Sequence, residues 1–181
     1  NIKGDKIMYS TIIVDNFFPD PKVVLSFCEK IIKWDNPNEN ENWPGVRSSN
    51  FIDINPDLHK YILHNILKMY FGNDYKVEIG RSEMRFHKIK YEDWLSHEKK
   101  ETRIHQDPSD LAGVIYLNEN INDENTGTTL YDNNKQSLIK ISNNFNTLAC
   151  YDGKRYHGLT GLDKKERLVI VIFLTNLTVK V

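Results

Sequence analysis

Cysteine, net charge and long apolar runs are all scarce in this chain, and each scarcity removes a class of protein. Cys28 and Cys150 are the only two cysteines among 181 residues. Two thiols so far apart support neither a disulfide framework nor a cysteine-based zinc site. Cys28 falls in a helical pattern and Cys150 in the strand-like "NTLACYD". Both therefore read as buried small hydrophobes, and a reducing cytoplasm is the expected compartment. No apolar run approaches the ~20 residues of a membrane span. The amino-terminal "NIKGDKIMYS" has no apolar signal region. Charge cancels, with 24 Lys and Arg against 25 Asp and Glu for a formal net charge of −1. That balance argues against a surface dedicated to nucleic acid or to an anionic membrane. Internal repeats and low-complexity tails are absent as well.

What is present suits one domain, 1–181, with 39% hydrophobic and 11% aromatic residues to fill a core. The first eighty residues carry helix grammar. In "PDPKVVLSFCEKIIKW" Asp20 is placed to cap, Pro21 suits the first helical position, and Val24, Phe27, Cys28 and Ile31 recur at helical spacing. In "NPDLHKYILHNILKMYFG" Asn55 caps, Pro56 opens and Gly72 closes a second helix. Its histidines, His59 and His64, lie five apart, off a common face, and read as surface residues. The intervening "DNPNENENWPGVRSSN" is polar and reads as a long loop, with Arg47 a lesser candidate for a substrate mouth. Trp34, Trp43 and Trp94 lie in or beside loops and are expected as core or loop anchors.

After Gly72 short strand-like runs alternate with Asn, Asp and Gly clusters. Strands are expected near "SEMRFHKIK", "TRIHQ", "AGVIYLN", "GTTLYD", "QSLIKI", "NTLACYD" and "RLVIVIFLTNL", and Ile12–Val14 adds one more. This spacing predicts a mainly β (α+β) fold, a sandwich or jelly roll, with the helices of 1–80 packed on a core over 81–181.

Two stretches carry the chemistry. In "RIHQDPSD" His105 and Asp107 stand two apart, so on extended backbone they face one side, and Pro108 ends the run. Alone, H-x-D is a weak signal, because Asp-Pro commonly opens a turn. Fifty residues after Asp107 comes His157, and ten further on Arg167 heads the apolar "LVIVIFL". Together His105, Asp107 and His157 would make the two-His, one-carboxylate face of non-haem Fe(II) oxygenases. An Arg at the head of a central strand needs an anionic partner or open water, and its fork suits a carboxylate. Arg85 and His87 alternate on "SEMRFHKIK", which lets both face the same cavity. The run "HEKKETR", with His97, reads as a solvated face, and the segment 91–101 as a candidate lid.

In this order His105, Asp107, His157 and Arg167 resemble the signature of the Fe(II)/2-oxoglutarate-dependent dioxygenases, specifically the prolyl-4-hydroxylase-like branch. The strand "GVIYLN" with Tyr116, the start "TGTTLYD" around Gly127 and Thr128, and "NTLACYDGKRYHG" are similar to that branch over Ser82 to Leu174, half the chain. "VDNFFPDP" and "WPGVRSSN" look like a group of small oxygenases of phage and bacterial type. The resemblance implies a double-stranded β-helix core and an Fe(II) held by the three ligands, with 2-oxoglutarate and O2 as co-substrates. It implies that Arg167 and Tyr116 share the distal carboxylate of 2-oxoglutarate, with Thr128, Arg85 and His87 as further cofactor-side candidates. The implied reaction hydroxylates an unactivated C–H, on a prolyl or other protein side chain, and releases succinate and CO2. Val169 and Val171 depart from the family pattern, which often has Ser or Thr there. Two competing readings are a cupin-like or Zn-dependent metalloenzyme on the same barrel and a non-enzymatic jelly-roll binding module. The first has no reason to keep an Arg buried at position 167, and the second does not need His105, Asp107 and His157 to converge.

Overall fold

The computed structural model describes residues 8–31, 33–38, 41, 43–96, 103–119, 122–162 and 166–180. Residues 97–102, which hold His97, most of the expected charge run and the second part of the expected lid, lie outside the described residues. The chain runs β1 (Ile12–Val14), α1 (Pro21–Glu29), β2 (Val46–Arg47), α2 (Phe51–Ile54), α3 (Pro56–Phe71), β3 (Val77–Ile89), α4 (Tyr91–Ser96), β4 (Leu111–Tyr116), β5 (Asn122–Tyr131), β6 (Ser137–Asn144), β7 (Leu148–Asp152), β8 (His157–Leu159) and β9 (Arg167–Val179). The strands form two antiparallel sheets, one ordered β1-β7-β4-β9-β3-β2 and one ordered β6-β5-β8.

Three layers result, because the alternation of each central strand sends side chains two ways. Ile115, Leu148, Cys150, Ile170 and Ile172 face the helices, where they meet Phe51, Ile62 and Ile66 in one buried cluster. Ala112, Val114, Tyr116, Tyr151, Val169 and Val171 face the small sheet and meet Leu130 and Ile141 in a second. Phe51, Ile62 and Ile66 are fully buried. At roughly 1.5–3 kcal/mol per buried apolar side chain, such contacts outweigh intrinsic propensity in fixing α2 and α3. Both long helices start as their sequences dictate. The Asp20 carboxylate accepts from the Lys22 N–H and the Asn55 side chain from the Leu58 N–H, each ahead of a proline at the helix start.

The front of the chain does more than add helices. β1 pairs with β7 and β2 with β3, so the first half supplies both edges of the large sheet. Beyond the two-residue β2, side chains continue the pairing. Ser48 Oγ accepts from the Phe86 N–H at 3.0 Å, and Asn50 Oδ1 accepts from the Met84 N–H at 3.1 Å. The Asn50 amide then donates to the Ser82 carbonyl at 3.2 Å.

Three expectations are corrected. His59 is buried, not a surface residue, and its Nε2 lies 2.8 Å from Ser82 Oγ against β3. "TRIHQ" is not a strand over its described residues, because His105 makes one isolated bridge, to His157. The short β2, β8, α2 and α4 carry too few residues for a periodic signal and were not anticipated. Cys28 and Cys150, by contrast, are free and buried as expected. Among the described residues no helix is long and apolar enough to cross a membrane.

Candidate active site

Between the sheets, at one end, lies a cleft whose wall includes His105, Asp107, His157 and Arg167. His105 and His157 meet there as a hydrogen-bonded antiparallel pair. Each N–H donates to the other's carbonyl at 2.9 Å. Such a pair sets both side chains on one face, and the ring centroids lie 4.5 Å apart. The Asp107 N–H donates to the Gly153 carbonyl at 2.8 Å, which keeps the segment extended and turns Asp107 to the same side. Gly158 makes this close approach feasible. A Cβ there would lie 2.1 Å from the Arg103 carbonyl oxygen.

One ligand atom from each of His105, Asp107 and His157 falls within 4.8 Å of the others. His105 Nε2 stands 3.6 Å from Asp107 Oδ1, and His157 Nε2 stands 3.1 Å from Asp107 Oδ2. The His157 side chain is 6% exposed and that of His105 49%, so the cluster opens toward solvent past His105. His157 Nδ1 also lies 2.8 Å from the Arg155 carbonyl. A neutral imidazole has one N–H for these two acceptors. A cation between Nε2 and Asp107 resolves the conflict, with Nδ1–H on the carbonyl fixing the tautomer. The donor set, two imidazoles and one carboxylate, fits Fe(II). Burial pushes the Asp107 carboxyl up, but the His157 hydrogen bond and the charges of His157, His105 and Arg47 hold it below its ordinary value. Burial, then the neighbouring His157, lowers His105.

At the other end of the cleft stands Arg167, 5% exposed. It shares the inward parity of Val169 and Val171 on β9. Its Nε has no hydrogen-bond partner and it forms no salt bridge among the described residues. Burial lowers its pKa, against the influence of Tyr116 and Tyr151. Tyr116 is fully buried behind the cavity wall, with its hydroxyl donating to Thr128 Oγ1 at 2.7 Å and the Arg167 guanidinium carbon 5.7 Å from its ring centroid. Thr128 is the member of this pair that lines the cleft. His87 also lines it, with Nε2–H donating to the Pro44 carbonyl at 2.7 Å. Arg85 shares that face but does not reach the cleft. Glu83 holds it at 2.6 Å, and it donates to the Ser48 carbonyl at 2.9 Å.

The remaining wall was not anticipated as a set. Trp43 and Trp94 line the cleft, with Arg47 and Arg103 lying 4.3 and 4.1 Å from their ring centroids. Tyr151 stands 4.9 Å from the His157 ring. Parity held a signal for one of these. Tyr151 follows Ala149 on the inward face of β7, and Arg103, which strand parity does not place, lies two residues before His105.

His87 yields a pH prediction. Burial, and then the charge of Arg47, drives its pKa well below 6.5, against the Pro44 hydrogen bond. Only the unfolded chain then binds this proton as pH falls through ~6.5. Stability is therefore full above that pH and declines below it, by up to about 1.4 kcal/mol per pH unit for one proton. Urea unfolding between pH 7 and 5 should show a shallower decline in His87→Gln, which retains a donor for Pro44. Equal slopes would mean that His87 is not a group responsible.

No family model matches the sequence, and no curated protein matches it. Solved structures do. A prolyl hydroxylase of Trichoplax adhaerens, in complex with a hypoxia inducible factor oxygen degradation domain peptide fragment, superimposes with a TM-score of 0.60 at 15% identity, over 91% of this chain and 83% of that one. A Pseudomonas putida prolyl-4-hydroxylase gives 0.53 at 12%, over 92% of both chains. The dioxygenase for auxin oxidation 1 of Arabidopsis thaliana, as a 2-oxoglutarate complex, gives 0.53 at 16%, over 94% of this chain and 85% of that one. The chain shares the fold of prolyl hydroxylases and of a dioxygenase that binds 2-oxoglutarate.

Proposed function

We propose that the chain is an Fe(II)- and 2-oxoglutarate-dependent dioxygenase on a double-stranded β-helix core, hydroxylating an unactivated C–H of its substrate. The observation that carries this reading is Arg167, a buried guanidinium with an unpartnered Nε, sharing one cleft with the His105, Asp107 and His157 cluster. A buried charge without a partner is costly, and a bound dicarboxylate supplies the missing anion. A hydrolase or isomerase built on the same three ligands leaves Arg167 without a use.

Fe(II) with 2-oxoglutarate and O2 supplies the oxidising chemistry, with succinate and CO2 as co-products. This chain's residues do the rest. His105, Asp107 and His157 would hold the ion. Arg167 receives the distal carboxylate, and Thr128 with Tyr116 fixes its approach from behind. Ile89, Val114 and Val171 present apolar surface to the cleft and limit water near the reacting centre. His87, held neutral, adds a polar contact without charge.

The test is made without oxygen. Fe(II)-loaded protein titrated with 2-oxoglutarate is expected to develop the visible charge-transfer band of a chelated iron–oxoacid complex. A folded, iron-loaded protein that shows no band would overturn the assignment and move it to the cupin-like or zinc reading.

A further inference from the structure

The cleft holds more cationic donors than a dicarboxylate co-substrate can use. Arg47, Arg103 and Arg167 line it, and Asp107 is the one carboxylate among the described residues that does. In the reading above, the two charges of the ion and that of Arg167 neutralise Asp107 and dianionic 2-oxoglutarate. Arg47 and Arg103 are left over.

Among the described residues neither forms a salt bridge, and the nearby Glu83 is taken by Arg81 at 2.8 Å and Arg85 at 2.6 Å. Among the described residues, the Nε of Arg47, the Nε of Arg103 and the indole N–H groups of Trp43 and Trp94 are all buried without a hydrogen-bond partner. Buried donors are nearly always paired, so four orphans on one wall mark a missing acceptor. Their geometry is fixed in advance. Arg47 lies over the Trp43 ring at 4.3 Å and reaches the Phe173 ring at 5.7 Å. Arg103 lies over the Trp94 ring at 4.1 Å and donates to the Trp94 carbonyl at 3.0 Å. A stacked guanidinium keeps its planar fork free at the edge, the edge that binds carboxylates. The two pairs come from different parts of the chain, one ahead of α2 and one from α4 to the His105 run. Arg103 is two residues from His105, and Arg47 is close enough to Asp107 to feel its charge.

We infer that the substrate carries a carboxylate, bound by Arg47 and Arg103 between Trp43 and Trp94, which sets its reacting C–H beside the metal ligands. This deepens the dioxygenase reading and rests on it. A free organic acid and an acidic side chain of a peptide offer the same group, and the experiment separates them.

The protein is loaded with Fe(II) anaerobically, saturated with 2-oxoglutarate, and titrated by calorimetry with two matched pairs of probes. One pair is phenylacetate and phenylacetamide. The other is an acetylated, amidated Ala-Pro-Glu peptide and its Gln counterpart. In at least one pair the acid is expected to bind about tenfold more tightly than the amide, as charged hydrogen bonds to a fork require. The pair that responds identifies a free acid or a peptide as the source. The preference should disappear in Arg47→Gln and in Arg103→Gln while 2-oxoglutarate affinity stays within about twofold of wild type. No acid preference in either pair, a preference unchanged in both variants, or a loss of 2-oxoglutarate affinity in them overturns the inference. Failure of the dioxygenase reading itself shows earlier, in the 2-oxoglutarate titration, before any probe is added.

Discussion

Arg167→Met is expected to abolish 2-oxoglutarate binding while leaving the ligand-free protein as stable as the wild type or more so. The two halves of this result have one cause. In the free protein the guanidinium is buried with its Nε unpartnered and its only charged-state support coming from tyrosines. Replacing such a group with an apolar one of similar length removes a desolvation cost, so unfolding free energy should change by no more than about 1 kcal/mol. Bound 2-oxoglutarate, by contrast, loses its one buried cationic contact at that end of the cleft. Truncating one partner of a buried, hydrogen-bonded charge pair costs about 2–5 kcal/mol, or at least roughly 30-fold in the dissociation constant. Thermal unfolding without ligand and the anaerobic titration, run on the same iron-loaded samples, separate the two effects. Severe destabilisation with unchanged 2-oxoglutarate affinity would make Arg167 a structural cation and remove the main support for the co-substrate.

Asp107→Ala should fold and fail to retain iron. Asp107 lies on the cleft wall, outside both buried apolar clusters, and its carboxylate oxygens face the two imidazoles. Its removal deletes the one anionic ligand. Losing a residue that merely orients a ligand typically costs 10–100-fold in metal affinity, so losing the ligand should cost at least about 100-fold. Metal content after desalting, with circular dichroism as the control for folding, measures this. A variant that keeps a full equivalent of iron would show that the ion sits elsewhere.

The readable parts of the molecule were those with local or periodic grammar. Asp20 and Asn55 announce their helices because a cap and a proline act within four residues. His105 and Asp107 were legible through strand parity, and Arg167 through its position ahead of a run that had to be buried. Where parity was overlooked, the reading failed. His59 lies three residues before Ile62 and seven before Ile66, on the buried face of α3, and that spacing was available. Other features had no local signal. The two residues of β2 become a strand only because β3 is there to pair with them. Trp43 and Trp94 come together at one cleft through contacts that no window of sequence contains. The hydrogen bond from the Tyr116 hydroxyl to Thr128 reaches across to the opposing sheet, a layer whose placement the sequence does not specify.

The contacts made by Ser48 and Asn50 have a consequence for how this protein behaves among copies of itself. β3 is thirteen residues long and lies one place from the sheet's edge, while β2 covers only Lys88 and His87. Left bare, the rest of its outer row of N–H and C=O groups would be a template for another chain's strand. Ser48 and Asn50 occupy that row at Phe86, Met84 and Ser82 with a hydroxyl and an amide, groups that match the backbone's hydrogen bonding yet cannot extend the sheet. The segment that brings Arg47 to the cleft is thus also the molecule's guard against intermolecular strand addition. Sequence change there is constrained by colloidal behaviour as well as by chemistry.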